Sequence, residues 1–185
     1  MRTVLTLTPS RTASTHSPVE SRAMGPVSAE ISIDSPREAV FDLLSDLSCR
    51  PAFTDHLMEG FHLLRVEPVG RGAGARFHLR DGGWVDSVIE EMDRPHRLVE
   101  RGMGGYLNRV PNTMEWMLSE AGGDGCEVKV TFWTDPSRTL DKLRDAKASE
   151  RRLGKGLRKA LERLREVAES GTPPERIAIA GADRI

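Results

Sequence analysis

The sequence predicts an α+β fold: a seven-stranded antiparallel sheet wrapped around one long C-terminal helix, with two short helices after the first strand. Three observations predict it. First, Arg138–Glu169 contains no proline. On a wheel of about 100° per residue, its Ala146, Leu153, Leu157, Ala160, Leu161, Leu164, Val167 and Ala168 gather within about a third of the circle. Second, six apolar-rich runs between Phe61 and Thr134 are separated by short turns rich in glycine or containing proline, as in an antiparallel meander. Third, Val27–Ile33 alternates apolar and polar residues and adds a strand ahead of that meander.

Composition bounds the possibilities. A chain of 185 residues suits one domain with tails. With 38% hydrophobic and 30% charged residues it reads as a soluble protein, and no apolar run approaches the roughly 18 residues of a membrane span. Stable membrane insertion is not expected. The formal net charge of −1 argues against bulk attraction to nucleic acid. The charge is uneven: Arg138–Glu169 holds 11 Lys/Arg against 6 Asp/Glu. Cys49 and Cys126 are the only cysteines, and without a pairing pattern they suit a reducing cytoplasm.

Residues 1–24 read as a disordered extension, rich in Ser and Thr, containing Pro9 and Pro18 and lacking periodicity. The apolar stretch near the start is too short for a signal peptide, and a start at Met24 is the plainer expectation. The globular domain is predicted over 25–170, with a C-terminal tail over 171–185.

After the first strand, Ser35-Pro36-Arg37-Glu38 reads as a helix start: Ser35 as N-cap, Pro36 at the first helical position, Glu38 closing a capping box. That helix carries Val40, Phe41, Leu43, Leu44 and Leu47. A second short helix or turn is expected over Arg50–Met58. The meander runs are Phe61–Glu67, Ala75–Arg80, Trp84–Met92, Arg97–Met103, Leu107–Glu120 and Cys126–Thr134. Alternation places Val128, Val130 and Phe132 inward on the last run, Met114, Trp116 and Leu118 on its neighbour, and Phe77 and Leu79 on the short strand. Gly171-Thr-Pro-Pro174 stops the long helix, and Ile177–Ala180 is expected to stay loose.

Strand, two short helices, six-strand meander and long C-terminal helix is the helix-grip order. Val27–Asp46, Pro68–Phe77 (PVGRGAGARF), Ile89–Gly102 (IEEMDRPHRLVERG) and Leu157–Glu169 together resemble the START-related superfamily. This group includes polyketide cyclases and dehydrases, coenzyme-Q-binding proteins and birch-pollen-allergen-like proteins. The resemblance covers Val27 to Glu169. It implies an apolar cavity between a concave sheet and the long helix, in which members hold lipids, quinones or polyketides. The superfamily has no shared catalytic motif, so no catalytic residue is carried over.

The residues themselves narrow the chemistry. Gly70-Arg-Gly-Ala-Gly-Ala75 matches a relaxed dinucleotide fingerprint, but a strand pattern follows it, so a hairpin turn is the better reading. His16, His56, His62, His78 and His96 show no metal-site spacing, although His62 and His78 are placed to meet across the first hairpin. No metal or other cofactor is expected. No nucleophile setting is recognisable.

In the first half of the long helix the apolar stripe includes Lys142, Ser149 and Glu150. Burying these without partners would cost several kcal/mol. Either this half borders a polar cavity, with Glu150 orienting a ligand or acting as a general base, or the helix starts later or bends near Gly154 and Gly156. Asn108, Arg109 and Glu115 are weaker polar candidates. The ligand pocket is therefore expected at Phe53, Phe77, Leu79, Tyr106, Met114, Trp116, Val130, Ser149, Glu150, Leu153 and Leu157. The expected partner is a hydrophobic small molecule. The alternatives are a cyclase- or dehydratase-type enzyme using the same cavity, and a protein- or RNA-interaction module acting through Arg151, Arg152 and Lys155 on the basic helix face.

Overall fold

A computed structural model of the chain describes residues 25–80, 83–104, 110–134 and 146–178, with backbone only at 146–148. The 1–24 extension, Tyr106, Asn108, Arg109, Lys142 and the stretch expected to begin the long helix at Arg138 lie outside these residues. Seven strands form one antiparallel sheet: β1 (Val27–Ile33), β2 (Met58–Leu63), β3 (Gly74–Leu79), β4 (Trp84–Asp93), β5 (Arg97–Gly104), β6 (Val110–Glu120) and β7 (Cys126–Thr134). Their spatial order is β1-β7-β6-β5-β4-β3-β2, so every meander connection joins neighbours and the first strand closes against the last. Helices α1 (Arg37–Ser45) and α2 (Pro51–Thr54), linked by a 3-10 turn at Leu47–Cys49, lie between β1 and β2.

The described part of the long helix is α3 (Ala146–Glu169), which continues through Gly154 and Gly156. At 1.5 Å per residue it is about 36 Å long. Its Leu157, Ala160, Leu161 and Leu164 are buried, and Leu153 and Ala168 pack on the edge of the same core. The sheet contributes Met114, Trp116, Leu118, Val128, Val130 and Phe132, and the helical insert Phe41, Leu44, Leu47 and Phe53. This is the stripe-on-sheet arrangement that the helical periodicity requires. α3 approaches the insert closely at Gly156, where an added β-carbon would stand 2.7 Å from Leu57 Cδ1 and make that side chain shift. The Gly156 carbonyl sits 3.0 Å from His56 Nε2.

Three local expectations are corrected. There is no capping box: Pro36 is the N-cap of α1, no side chain caps it, and the Pro36 carbonyl receives the Ala39 and Val40 amides. A proline flanked by extended backbone already fixes the helix start. Met58 belongs to β2, because the chain leaves α2 after Thr54. The tail is also not loose as far as Ile177, whose amide donates to the Ser48 carbonyl at 3.0 Å and whose side chain packs on the core. Arg176 bonds Asp46 at 3.1 Å. The carboxylate of Asp46 is buried and also caps the 3-10 turn by accepting from the Ser48 amide.

The glycine-rich Gly70–Gly74 segment is a turn between strands, with Gly70 (φ 79°) and Gly72 (φ 91°) in the left-handed region. The Gly70 amide donates to the Ser45 carbonyl and the Gly72 amide to the Ile89 carbonyl, so the turn is docked on the insert and on β4. The Ala73 amide turns back onto the Gly70 carbonyl.

Both cysteines are free and buried. Burial raises the Cys49 thiol above its ordinary value, helped by the Asp46 carboxylate, and burial likewise raises Cys126. A raised thiol holds less thiolate, the reactive form, at a given pH. In Ellman's assay at pH 8 both should react far more slowly in the native protein than in urea. Backbone geometry gives a second test. A β-carbon at Gly102 would stand 1.9 Å from the Asp86 carbonyl oxygen, whereas one at Gly122 meets nothing within 4 Å. Gly102→Ala should therefore destabilise by about 3 kcal/mol in urea denaturation. Gly122→Ala should stay within about 0.5 kcal/mol of wild type.

Candidate functional site

The concave face of the sheet is apolar except for one belt. Cross-strand register aligns Ala75 of β3, Ser87 of β4, Gly102 of β5, Asn112 of β6 and Thr134 of β7 in a single row. The adjacent row holds Ile89, Glu100, Met114 and Phe132. The next carries Leu98, Trp116, Val130 and Ala29. Small and polar side chains thus cross the floor of the sheet beside two rows that are apolar apart from Glu100.

Glu100 is the centre of the polar group. Its side chain is 4% exposed and faces the equally buried Arg50, whose Nη2 donates to Glu100 Oε1 at 2.7 Å. Trp116 Nε1 donates to the same oxygen at 3.0 Å, and Ser87 Oγ donates to Oε2 at 3.1 Å. The guanidinium lies 5.2 Å from the Trp116 ring centroid and 5.7 Å from that of Phe53, within cation–π range. Arg50 Nη2 also donates to the Leu44 carbonyl at 2.9 Å, which ties the helical insert to the sheet. Buried charges without a partner are strongly unfavourable, so neither side chain tolerates loss of the other.

Two groups beside this cluster lack partners. Arg50 Nε is buried with no hydrogen bond. The Asn112 side chain is 7% exposed and has no hydrogen-bond partner among the described residues. Unlike Arg50 Nε, the Asn112 amide keeps contact with solvent. Asn112 sits across from Gly102, which offers no side chain to receive it, and its Nδ2 would lie 3.3 Å from a β-carbon built on Gly104.

The structure brings together several of the residues expected at the pocket. Phe53, Met114, Trp116, Val130 and Leu157 are buried between the insert, the sheet and α3. Phe77 is buried farther along, stacked on Phe61 with centroids 5.6 Å apart, and Leu79 is half-buried beside it. Leu153 packs at the core edge and Ser149 is half-buried. Glu150 Oε1 accepts the Gly25 amide at 3.2 Å, fastening the chain ahead of β1 to α3. Glu115 points to the outer face and accepts from Arg97 at 2.6 Å. It belongs to a ladder of ion pairs there with Glu91, Arg101 and Glu90.

On the outer face His62 and His78 each lie edge-on to Trp84, at ring distances of 6.1 and 5.5 Å. Along α3, the basic residues Lys159 and Arg163 border an outward groove with Asp55, His56, Arg80, Glu162 and Glu166, so acids interleave with the bases. Arg163 pairs with Asp55, whose carboxyl it holds below the usual range.

Sequence reasoning missed Arg50, Ser87, Glu100 and Asn112. Glu100 and Asn112 were within reach of the alternation argument. Alternation places Met114 inward, and the register sets Glu100 directly opposite Met114 and Asn112 two residues before it.

The ion pair makes a direct prediction. Glu100→Gln leaves the guanidinium buried without a counter-charge and should destabilise by about 3–5 kcal/mol. The double variant Arg50→Met/Glu100→Leu removes both charges and should cost less than Glu100→Gln alone. Urea denaturation of the three proteins reads both values.

Comparison with known proteins agrees with this architecture. No curated protein matches the chain. Among solved structures, a hypothetical protein of Helicobacter pylori superposes with a TM-score of 0.64 at 17% identity, covering 90% of this chain and 99% of that one. A START superfamily protein from Mycobacterium smegmatis gives 0.61 at 12% identity, covering 80% and 99%. Norcoclaurine synthase from Thalictrum flavum, in complex with dopamine and hydroxybenzaldehyde, gives 0.60 at 15% identity, covering 80% and 87%. At these identities the likeness is one of fold, and the fold is the helix grip. The family model for polyketide cyclase/dehydrase and lipid transport matches residues 24–169, and the chain belongs to that family.

Proposed function

We propose that this protein holds a hydrophobic small molecule against the concave face of its sheet, beneath α3. One observation carries the reading: an apolar wall is interrupted by a belt of buried polar groups, and one of them, Asn112, has no hydrogen-bond partner among the described residues. Apolar contact supplies affinity at roughly 25 cal/mol per Å² buried. A few placed polar groups then set orientation, which is the usual division of labour in small-molecule sites. Trp116, Met114 and Val130 are the proposed wall, and Phe53 and Leu157 the groups that close it from the insert and the helix.

A cyclase- or dehydratase-type reaction in the same space is the alternative. Against it stands the state of the titratable groups. Glu150 is engaged with the Gly25 amide and His56 with the Gly156 carbonyl, while His62 and His78 face outward beside Trp84. The carboxylate on the concave face, Glu100, already accepts from three donors. A group so committed suits positioning better than proton transfer.

Native mass spectrometry of the protein purified from cells tests the proposal. The expected spectrum carries a mass excess of a few hundred daltons that is lost on denaturation. If no small molecule copurifies and the neutral fluorophore N-phenyl-1-naphthylamine also fails to bind, the reading is wrong. Trp116→Ala should weaken binding of that probe about tenfold or more, because it removes a large part of the proposed wall.

A further inference from the structure

We infer that the bound molecule is electrically neutral and carries an oxygen, a carbonyl or hydroxyl, that pairs with the Asn112 amide. This rests on the holding role just proposed and narrows its ligand class.

The argument is one of charge and hydrogen-bond accounting on the concave face. Among the described residues, the charged side chains buried with Trp116 and Met114 are Arg50 and Glu100, and they neutralise each other at 2.7 Å. An anionic headgroup brought there would meet the Glu100 carboxylate, while the charge of the guanidinium it would need is already balanced by that carboxylate. A cationic group would meet the guanidinium. In a low-dielectric site either mismatch is heavily penalised.

Hydrogen-bonding capacity is nevertheless left over. The Asn112 amide can donate twice and accept twice. Its neighbours in the row are Gly102, which has no side chain, and Thr134. An apolar wall gives a ligand oxygen nothing in exchange for the water it leaves, whereas the Asn112 amide offers both a donor and an acceptor, so such an oxygen is best placed there. The next row of the floor, with Met114 and Phe132, is apolar at these positions. The site therefore favours an apolar body with a neutral oxygen over a fatty acid or a charged lipid head.

A matched set of naphthalenes separates these features by displacement of N-phenyl-1-naphthylamine at pH 7. Methyl 2-naphthoate is neutral and carries a carbonyl. 2-Ethylnaphthalene is neutral and lacks one. 2-Naphthoate has the carbonyl carbon but is ionised. The ester should displace the probe roughly tenfold better than the hydrocarbon, the effect expected of one buried hydrogen bond. In Asn112→Leu, which preserves volume, or in Asn112→Ala should that variant not fold, the ester should fall to the level of the hydrocarbon while the probe still binds.

Any apolar pocket disfavours an anion, so the charge argument needs its own arm. In Glu100→Gln, studied at a temperature where circular dichroism shows it folded, the uncompensated guanidinium should narrow the gap between ester and 2-naphthoate by about tenfold or more. The inference is overturned if 2-naphthoate competes as well as its ester on the wild type, if the ester-to-hydrocarbon ratio survives loss of Asn112, or if Glu100→Gln leaves the ester-to-anion gap unchanged. A protein that binds neither the probe nor any of the three compounds contradicts the holding role itself.

Discussion

The rest of the molecule is arranged around one buried ion pair. Arg50 belongs to the helical insert and Glu100 to the middle of the sheet, and both are withdrawn from water. Moving such ions into a protein interior is unfavourable by several kcal/mol each even after relaxation. The pair persists because every remaining feature supports it. Trp116 and Ser87 complete the coordination of the carboxylate, the Leu44 carbonyl receives the guanidinium, and two aromatic rings cover its face. The insert is thereby locked onto β5 and β6, and α3 closes over both.

This lock divides the sheet into two surfaces with different physics. The outer surface is a ladder of exposed arginine–carboxylate pairs, each weakly stabilising and together a solvated skin. The inner surface is apolar with a single polar belt, and there a hydrogen bond is strong because water is scarce. The proposed holding role uses that contrast. In that role the apolar rows would grip a molecule without regard to direction, and the belt at Ser87 and Asn112 would give it direction.

How much of this was legible in the sequence follows from the range of each interaction. Strand β1 and strand β7 were readable to the residue, since period-two alternation is local. The apolar stripe of α3 was readable for the same reason at period 3.6. The start of α1 was misassigned to a capping box because the motif S-P-R-E encodes the possibility of the bond and not its formation. The docking of the tail is not legible in the sequence, because Ile177 meets Ser48, more than a hundred residues away. Pocket residues such as Met114 and Trp116 were found from alternation alone. The polar centre was not, because a buried Arg50 and a buried Glu100 each look like surface residues until register brings them together. Asn112 sits beside Pro111 at the start of a strand and carries no local mark of burial.

The most direct test of the account is where a neutral aromatic ligand registers on the protein. Three tryptophans report it by their indole N–H signals: Trp116 on the concave face, Trp84 on the outer face, and Trp133 on the outward side of β7. In a nitrogen–proton correlation spectrum titrated with methyl 2-naphthoate, the account predicts large saturable shifts of the Trp116 indole and the Asn112 side-chain amide, with Trp84 unmoved. Saturable shifts of Trp84 with Trp116 and Asn112 unmoved would contradict it.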